Sequence, residues 1–444
     1  MTTLTATSTR PEARFLHAFE LQGDAAFNGS HAYLSELRRK AIARFEALGF
    51  PSRKAEAWKY TPIARALQHA YTIQPAPPRP KLSEADLARY AIPELDAYRV
   101  VLVNGQWVPE LSTPAAALPQ GAVLTSLQHA AQAYPQLFTA YFAHSLDYEN
   151  EPFLALNLAF ARDGLFFYLP PHTALDRPVH VVHLIDVEED LFLQPHHVIA
   201  IAPGASLQLL YSGHTRSATR TFTNAVTEVF VGRGAQLAHY DLRLEGETAS
   251  GIYSTQAYLE QEGRYTNHTL TLGGALVRNN VYVRFDGEAG ETHLYGLFLG
   301  RGTMHIDNHT MIDHAVPNCV SNELYKGILD ERAIGVFNGK VLVRPHAQKT
   351  NAYQSNKSIL LTEEARMYSK PELEIYADDV RCTHGAACGQ LNEEGIFYLR
   401  ARGLTAQKAR ALMLLAFARD VLDQIALEPL RAYLDDLVAQ RFGA

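Results

Sequence analysis

Two of the chain's three cysteines, Cys382 and Cys388, stand beside His384 in the stretch Lys370–Leu404. Leu373 and Ile375 alternate with Glu372, Glu374 and Tyr376, the pattern of a half-buried strand, until Asp378-Asp379 breaks it. Val380, Cys382 and His384 then share one parity, with Arg381 and Thr383 on the other. Residues two apart in a strand point the same way and lie roughly 6.5 Å apart. A thiol and an imidazole so placed can meet one iron, zinc or sulfur species. Two ligands fall short of a closed four-ligand site. Cys388 is either a third ligand or a small buried hydrophobe, and a partner chain can complete an open shell.

Other constellations carry less. In Met304–Cys319, His305 and His309 share strand parity, with His314 and Cys319 beyond, and histidine is the commonest metal ligand. The plainer reading, which we favour, is a stack of polar side chains hydrogen-bonded between successive β segments. Asp307 and Asp313 are candidate paired carboxylates, but nothing in the sequence sets their separation. Gly335–Val341 has a superficial likeness to a phosphate loop; its glycine spacing is one residue short, and Val341 stands where a magnesium-binding Ser or Thr belongs. Neither a G-x-G-x-x-G opening a helix nor a G-x-S-x-G elbow occurs.

The elements that must position Cys382 and His384 fall into three regions. Residues 1–163 read as mainly helical, with a helix over Ala32–Leu48 stopped by Gly49-Phe50-Pro51, a proline-rich linker at Gln74–Lys81, and a hairpin at 98–108 turning on Asn104-Gly105. Residues 164–389 read as short strands with glycine punctuation at Gly204, Gly234, Gly263 and Gly290, spaced 30, 29 and 27 apart. Such regularity fits a stacked solenoid; a large β-sandwich with ordinary turns is the alternative. Residues 390–444 return to helices, with Asn392 and Thr405 as N-caps and Gly403 past a C-terminus.

The 444 residues exceed one compact core, and 47% hydrophobic with 20% charged content fits a soluble globular protein. A net charge of −7 argues against nucleic-acid binding. No apolar run is long enough to span a bilayer. The first twenty residues lack the features of a secretory signal, and three cysteines cannot build a disulfide framework. The expectation is a reducing cytoplasm.

The segments SNELYKGIL (Ser321–Leu329), FNGKVLVRPHAQKTNAYQSNKSILL (Phe337–Leu361) and KPELEIYADDVRCTHGAACGQLNEEGIFYLRARGL (Lys370–Leu404) closely resemble the SufB/SufD family of iron–sulfur cluster assembly proteins. Upstream, RKAEAWKYTPI (Arg53–Ile63) and TMIDHAVPNCVSNE match the same family, and KPELEIYADDVRCTHGA is more similar to SufD than to SufB. The resemblance implies a right-handed parallel β-helix between an N-terminal and a C-terminal helical domain. It implies a non-catalytic scaffold that pairs with a SufB-type chain through the last β-helix strands. It also implies docking of a SufC-type ABC ATPase on the C-terminal helices. A nascent cluster would form at the SufB–SufD interface, with a SufB cysteine and a SufD histidine as key groups; His384 matches that histidine and Cys382 the cysteine two residues before it, both carried here as candidate interface residues. Transient iron and sulfide are then cargo, no cofactor is tightly bound by the isolated chain, and reduced flavin is expected only within the complex. Cys388 and His346 depart from the family pattern, and no role is carried to them. The rivals are a SufB-type chain, disfavoured because Cys319 is the single cysteine between 165 and 370, a carbohydrate-active β-helix enzyme, and a self-assembling homodimer through the terminal strands.

Overall fold

About thirty residues of chain bring each strand back onto the one before it. In one sheet Ser206, Gln236, Arg264, Glu291, Val320, Asn351 and Arg381 stack in register. In the other, Leu276, His305, Ile334 and Arg366 do the same. Successive strands alternate between the two sheets, each of ten strands, and the ladders through the coils are parallel. This computed structural model describes residues 10–22, 32–73, 77 and 79–443, and its core is a β-solenoid of about eight turns. The solenoid expectation therefore holds over the sandwich. Within the lumen, inward residues such as Tyr265, Leu294, Ile312, Tyr325 and Phe337 form one continuous core. Each contributes roughly 1.5–3 kcal/mol by leaving water.

The turns explain the punctuation. One left-handed residue recurs two positions before six of these seven strands, all but the last: Gly204, Gly234, Glu262, Ala289, Asn318 and Lys349, with φ of 69°, 63°, 58°, 57°, 63° and 59°. The amides of Gly204, Gly234, Glu262, Asn318 and Lys349 each donate to a carbonyl of the next coil, as Gly204 does to Arg233 at 2.9 Å. Gly263 and Gly290 thus sit one residue past the left-handed position. Their glycines answer to close approach: a Cβ on Gly263 would lie 2.9 Å from the Glu260 carbonyl oxygen, and one on Gly290 2.5 Å from the Phe285 ring.

Helices cover the outside of both sheets. Ala32–Leu48 ends where expected, with Gly49 left-handed at φ 64°. With Glu12–Gln22 and Pro152–Phe160 it packs an aromatic layer (Phe15, Phe45, Phe153) onto Phe166, Phe192 and Phe222 of the second sheet. The proline-rich linker lies partly outside the described residues, at 74–76 and 78. The hairpin turns on Asn104 and Gly105, both left-handed, but it is part of the solenoid. Its strand Tyr98–Val103 pairs in parallel with Val179–Ile185 and closes the first sheet at that end.

At the C-terminus three helices, Glu393–Ala401, Ala406–Leu422 and Glu428–Phe442, follow the predicted caps: the side chains of Asn392 and Thr405 accept from Glu394 and Lys408 amides at 2.9 and 3.2 Å. Leu414, Leu422, Leu430 and Leu434 pack on Leu242, Leu270, Leu297 and Ile328 of the first sheet. Lys326 passes out of that sheet and donates to the Phe417 carbonyl at 2.9 Å.

The two ends of the solenoid differ. The N-terminal end is closed by antiparallel strands and helices. At the other end Arg366–Ile375 and Arg381–Gly389 are the last members of their sheets, and among the described residues no further strand pairs with them.

Candidate functional site

Cys382 and His384 lie on the last strand, Arg381–Gly389, at the open end. Their register partners one coil below are Ala352 and Gln354. Both partners are buried, whereas Asn351, Tyr353 and Lys357 on the opposite parity are exposed. The predicted shared parity is therefore present, and it is the inward one. Cys382 packs against Val341, Val343 and Ala352 of the lumen. His384 is exposed, since among the described residues no coil lies above it. Ala386 and Cys388 continue the same row, over Asn356 and Ser358.

Burial pushes the Cys382 thiol above its usual pKa, against the opposing hydrogen bond from the Ala352 amide. The sulfur therefore rests protonated near neutral pH and binds metal only when its proton is displaced. Among the described residues, no group of three or more His, Cys, Asp or Glu side chains is arranged to hold a metal ion. Cys382 and His384 remain a two-group row on an open edge.

Beneath His384 runs a column of lumen residues joined by register: Gln354, Glu323, Leu294, Asn267 and His239. Gln354 Nε2 donates to Glu323 Oε2 at 2.8 Å, with both side chains buried. Burial raises the Glu323 carboxyl to about 7. The sequence reading missed this pair. Its signal was present: in Ser321–Leu329, Glu323 occupies the core parity between Ser321 and Tyr325, where an apolar residue is the rule.

The histidine-rich stretch is structural. His305 and Asp307 face outward, toward the Arg53–Ile63 segment. Thr61 meets His305 at 3.0 Å and donates to Asp307 at 2.5 Å. Arg278 donates to Asp307 at 2.9 Å and lies 3.8 Å from the Trp58 ring centroid. His309 contacts the other Asp307 oxygen at 2.9 Å. Asp313 is held by Arg344 at 2.9 and 2.7 Å. Each carboxylate thus has its own arginine, and the two do not form an acid–base pair. His314 points into the lumen and meets Ser321 at 2.9 Å. Cys319 is buried, its thiol pushed up to about 11, and contributes as a core residue. His346 lies exposed in the turn before the last two coils.

A groove of about 640 Å³ runs along this outer face between Trp58, Tyr258, Tyr282, Arg344 and Lys370. Its cations are paired: Arg278 with Asp307, Arg284 with Asp286, Lys340 with Glu374, Arg344 with Asp313, and Lys370 with Glu56. Gly335–Val341 is a strand of the second sheet, with no helix after it to hold a phosphate. No helix among the described residues is long and apolar enough to cross a membrane.

Comparison with known proteins agrees with this architecture. Residues 183–417 match the SufBD core domain of SUF-system FeS cluster assembly, and residues 9–181 match the SufBD protein N-terminal region. The chain is 32% identical over 431 residues to an iron–sulfur cluster assembly SufBD family protein of Synechocystis, covering 95% of this chain and 94% of that one. It is 28% identical to the iron–sulfur cluster assembly protein SufD of Escherichia coli, over 96% and 95% of the two chains. With SufD of Bacillus subtilis the identity is 23%, over 92% and 94%. The chain belongs to the SufB/SufD family of iron–sulfur cluster assembly proteins, and its named full-length relatives include SufD.

Proposed function

We propose that this chain is a SufD-type scaffold subunit that supplies one half of a nascent-cluster site and catalyses no reaction by itself. The observation that carries the reading is the open end of the solenoid. There, among the described residues, each of the two sheets ends in an unpaired edge strand, and one of these strands presents a thiol and an imidazole on a single row. An edge strand offers unpaired backbone groups to a second chain. A SufB-type partner adding its own terminal strands would satisfy them and bring further ligands to Cys382 and His384. Iron and sulfide are the cargo of this half-site. His384 acts as a ligand or proton carrier to them, and Cys382 ligates transiently or supports the row. A half-site built on a reduced thiol is consistent with work in a reducing compartment such as the cytoplasm.

The C-terminal helices are read as the docking surface for a SufC-type ATPase. One face of them holds the solenoid; the other leaves Phe397, Tyr398 and Leu412 exposed by 72%, 56% and 46%. Exposed aromatics of this size are frequent interface anchors.

The test is anaerobic reconstitution of the chain co-expressed with SufB-type and SufC-type partners. His384→Ala is expected to fold and assemble but to lose the cluster absorbance and Mössbauer signals. Normal cluster yield from that complex would refute the role of His384. A homodimer that survives addition of the SufB-type chain would refute the pairing.

A further inference from the structure

Gln354 is fully buried one coil below His384, on the same inward row. Its amide is held on two sides. Nε2 donates to Glu323 Oε2 at 2.8 Å. From the opposite sheet, Gly339 leaves the room for it: a Cβ there would stand 2.2 Å from Nε2 and 2.9 Å from Cδ. The amide nitrogen is therefore committed, and Oε1 is left buried without a hydrogen-bond partner among the described residues. A buried carbonyl without a partner is costly, because it has given up its water and gained nothing in return. The group stacked directly above it is an imidazole, which always has at least one N–H to give. Neighbouring strands are about 4.8 Å apart, a spacing that long side chains on one row bridge.

We propose that Gln354 is the positioning residue of His384: its carbonyl oxygen accepts one ring N–H from below, so that the other ring nitrogen faces the open edge. Glu323 and Gly339 act through Gln354 by fixing which way its amide points. Outer-shell partners of this kind set the tautomer and orientation of a ligating histidine. The raised Glu323 carboxyl fits the same picture, since a carboxyl that protonates near neutrality remains an acceptor for the amide while costing less to bury. The inference rests on the reading of His384 as a site group and adds the residues that aim it.

The test uses the full chain labelled with ¹⁵N-histidine, with the His384 ring signals identified by their loss in His384→Ala. In the parent chain one neutral tautomer of His384 should dominate. Gln354→Met, similar in size but without the acceptor, should shift the tautomer ratio about fivefold, the weight of one neutral hydrogen bond. Gln354→Asn, one methylene shorter, should do the same and serves if the methionine variant does not fold. Glu323→Gln still offers a carbonyl oxygen to the amide and should leave the ratio unchanged. A ratio unmoved in the folded Gln354 variant overturns the proposal. The two readings separate cleanly. Loss of cluster in His384→Ala with a Gln354-independent tautomer sinks this inference alone. A Gln354-dependent tautomer with normal cluster build-up in His384→Ala sinks the functional reading alone.

Discussion

The guanidinium of Arg278, on an inner coil, lies 3.8 Å from the ring centroid of Trp58, in the N-terminal signature segment. Arg278 also donates to the Ala57 carbonyl at 2.7 Å and to Asp307 at 2.9 Å, and Trp58 stacks on Phe153 at 5.3 Å. The signature segment is thus a clamp across the outer face of the second sheet. It reaches the terminal strand too, where Tyr60 stacks on Tyr368 at 4.3 Å and Lys370 meets Glu56 at 2.6 Å.

Trp58→Ala should therefore destabilise the chain by about 3–5 kcal/mol, the range for removing a buried large aromatic. Arg278→Lys keeps the charge but loses the planar stacking and should cost about 2 kcal/mol. Denaturant titration gives both values. Amide exchange should quicken first in Leu276–Phe285 and His305–His314, beneath the clamp. Uniform exchange across all coils would count against it.

Acid should unfold the protein cooperatively. Burial holds His180, His183 and His268 down at about 3, and His214, His239 and His314 at about 4. Between pH ~4 and the ordinary value near 6.5 these groups are protonated only in the unfolded chain. The unfolded state then binds more protons, so stability rises with pH across that window and falls on acidification. Each histidine contributes about 1.4 kcal/mol per pH unit. Unfolding free energies measured from pH 4.5 to 6.5 should show a slope of several protons. His183→Gln should lower that slope by about one proton. A flat profile would contradict the buried neutral state.

Glu323 works in the opposite direction. Its folded value of about 7 lies above the usual 4.5, so in that interval the folded state binds the extra proton. Its contribution is full below pH ~4.5 and is lost as pH rises to about 7. The loss amounts to about 3 kcal/mol. Glu323→Gln removes this dependence. The stability of the variant relative to the parent should therefore improve by about that amount between pH 5 and pH 8, and equal differences at both pH values would refute it.

Glycines in the turns should not be equivalent. A Cβ on Gly287 would lie 1.9 Å from the Gln261 backbone nitrogen, which has nowhere to go. Gly287→Ala is expected to cost about 1–3 kcal/mol or more. Gly234 is left-handed but has no atom within 4 Å of its Cβ position, and Glu262 and Ala289 occupy the equivalent place in the next coils. Gly234→Ala should cost only the ~1 kcal/mol of the left-handed conformation. Paired melting curves would test the ranking.

On the C-terminal helices, Phe397→Ser and Tyr398→Ser should change stability by no more than ~0.5 kcal/mol, as for exposed positions generally. They should weaken capture of the SufC-type ATPase in pull-downs. Undiminished capture by the double variant would place the docking surface elsewhere.

Much of this protein is written locally. The helix Ala32–Leu48 with its glycine stop, the Asn104-Gly105 turn and the caps at Asn392 and Thr405 depend on residues within one turn of each other. The shared parity of Cys382 and His384 is equally local, because side chains in a strand alternate with period two. Tertiary structure decided what lies about thirty residues away. It set Gln354 under His384 and Glu323 under Gln354, and it gave Asp307 and Asp313 separate arginines. It moved the left-handed turn positions to Glu262 and Ala289, and it joined the 98–108 hairpin to the solenoid. Period-two patterning tells which face a residue takes but not which residue sits above or below it. That register is the accumulated length of every turn between two coils, a sum no local pattern contains.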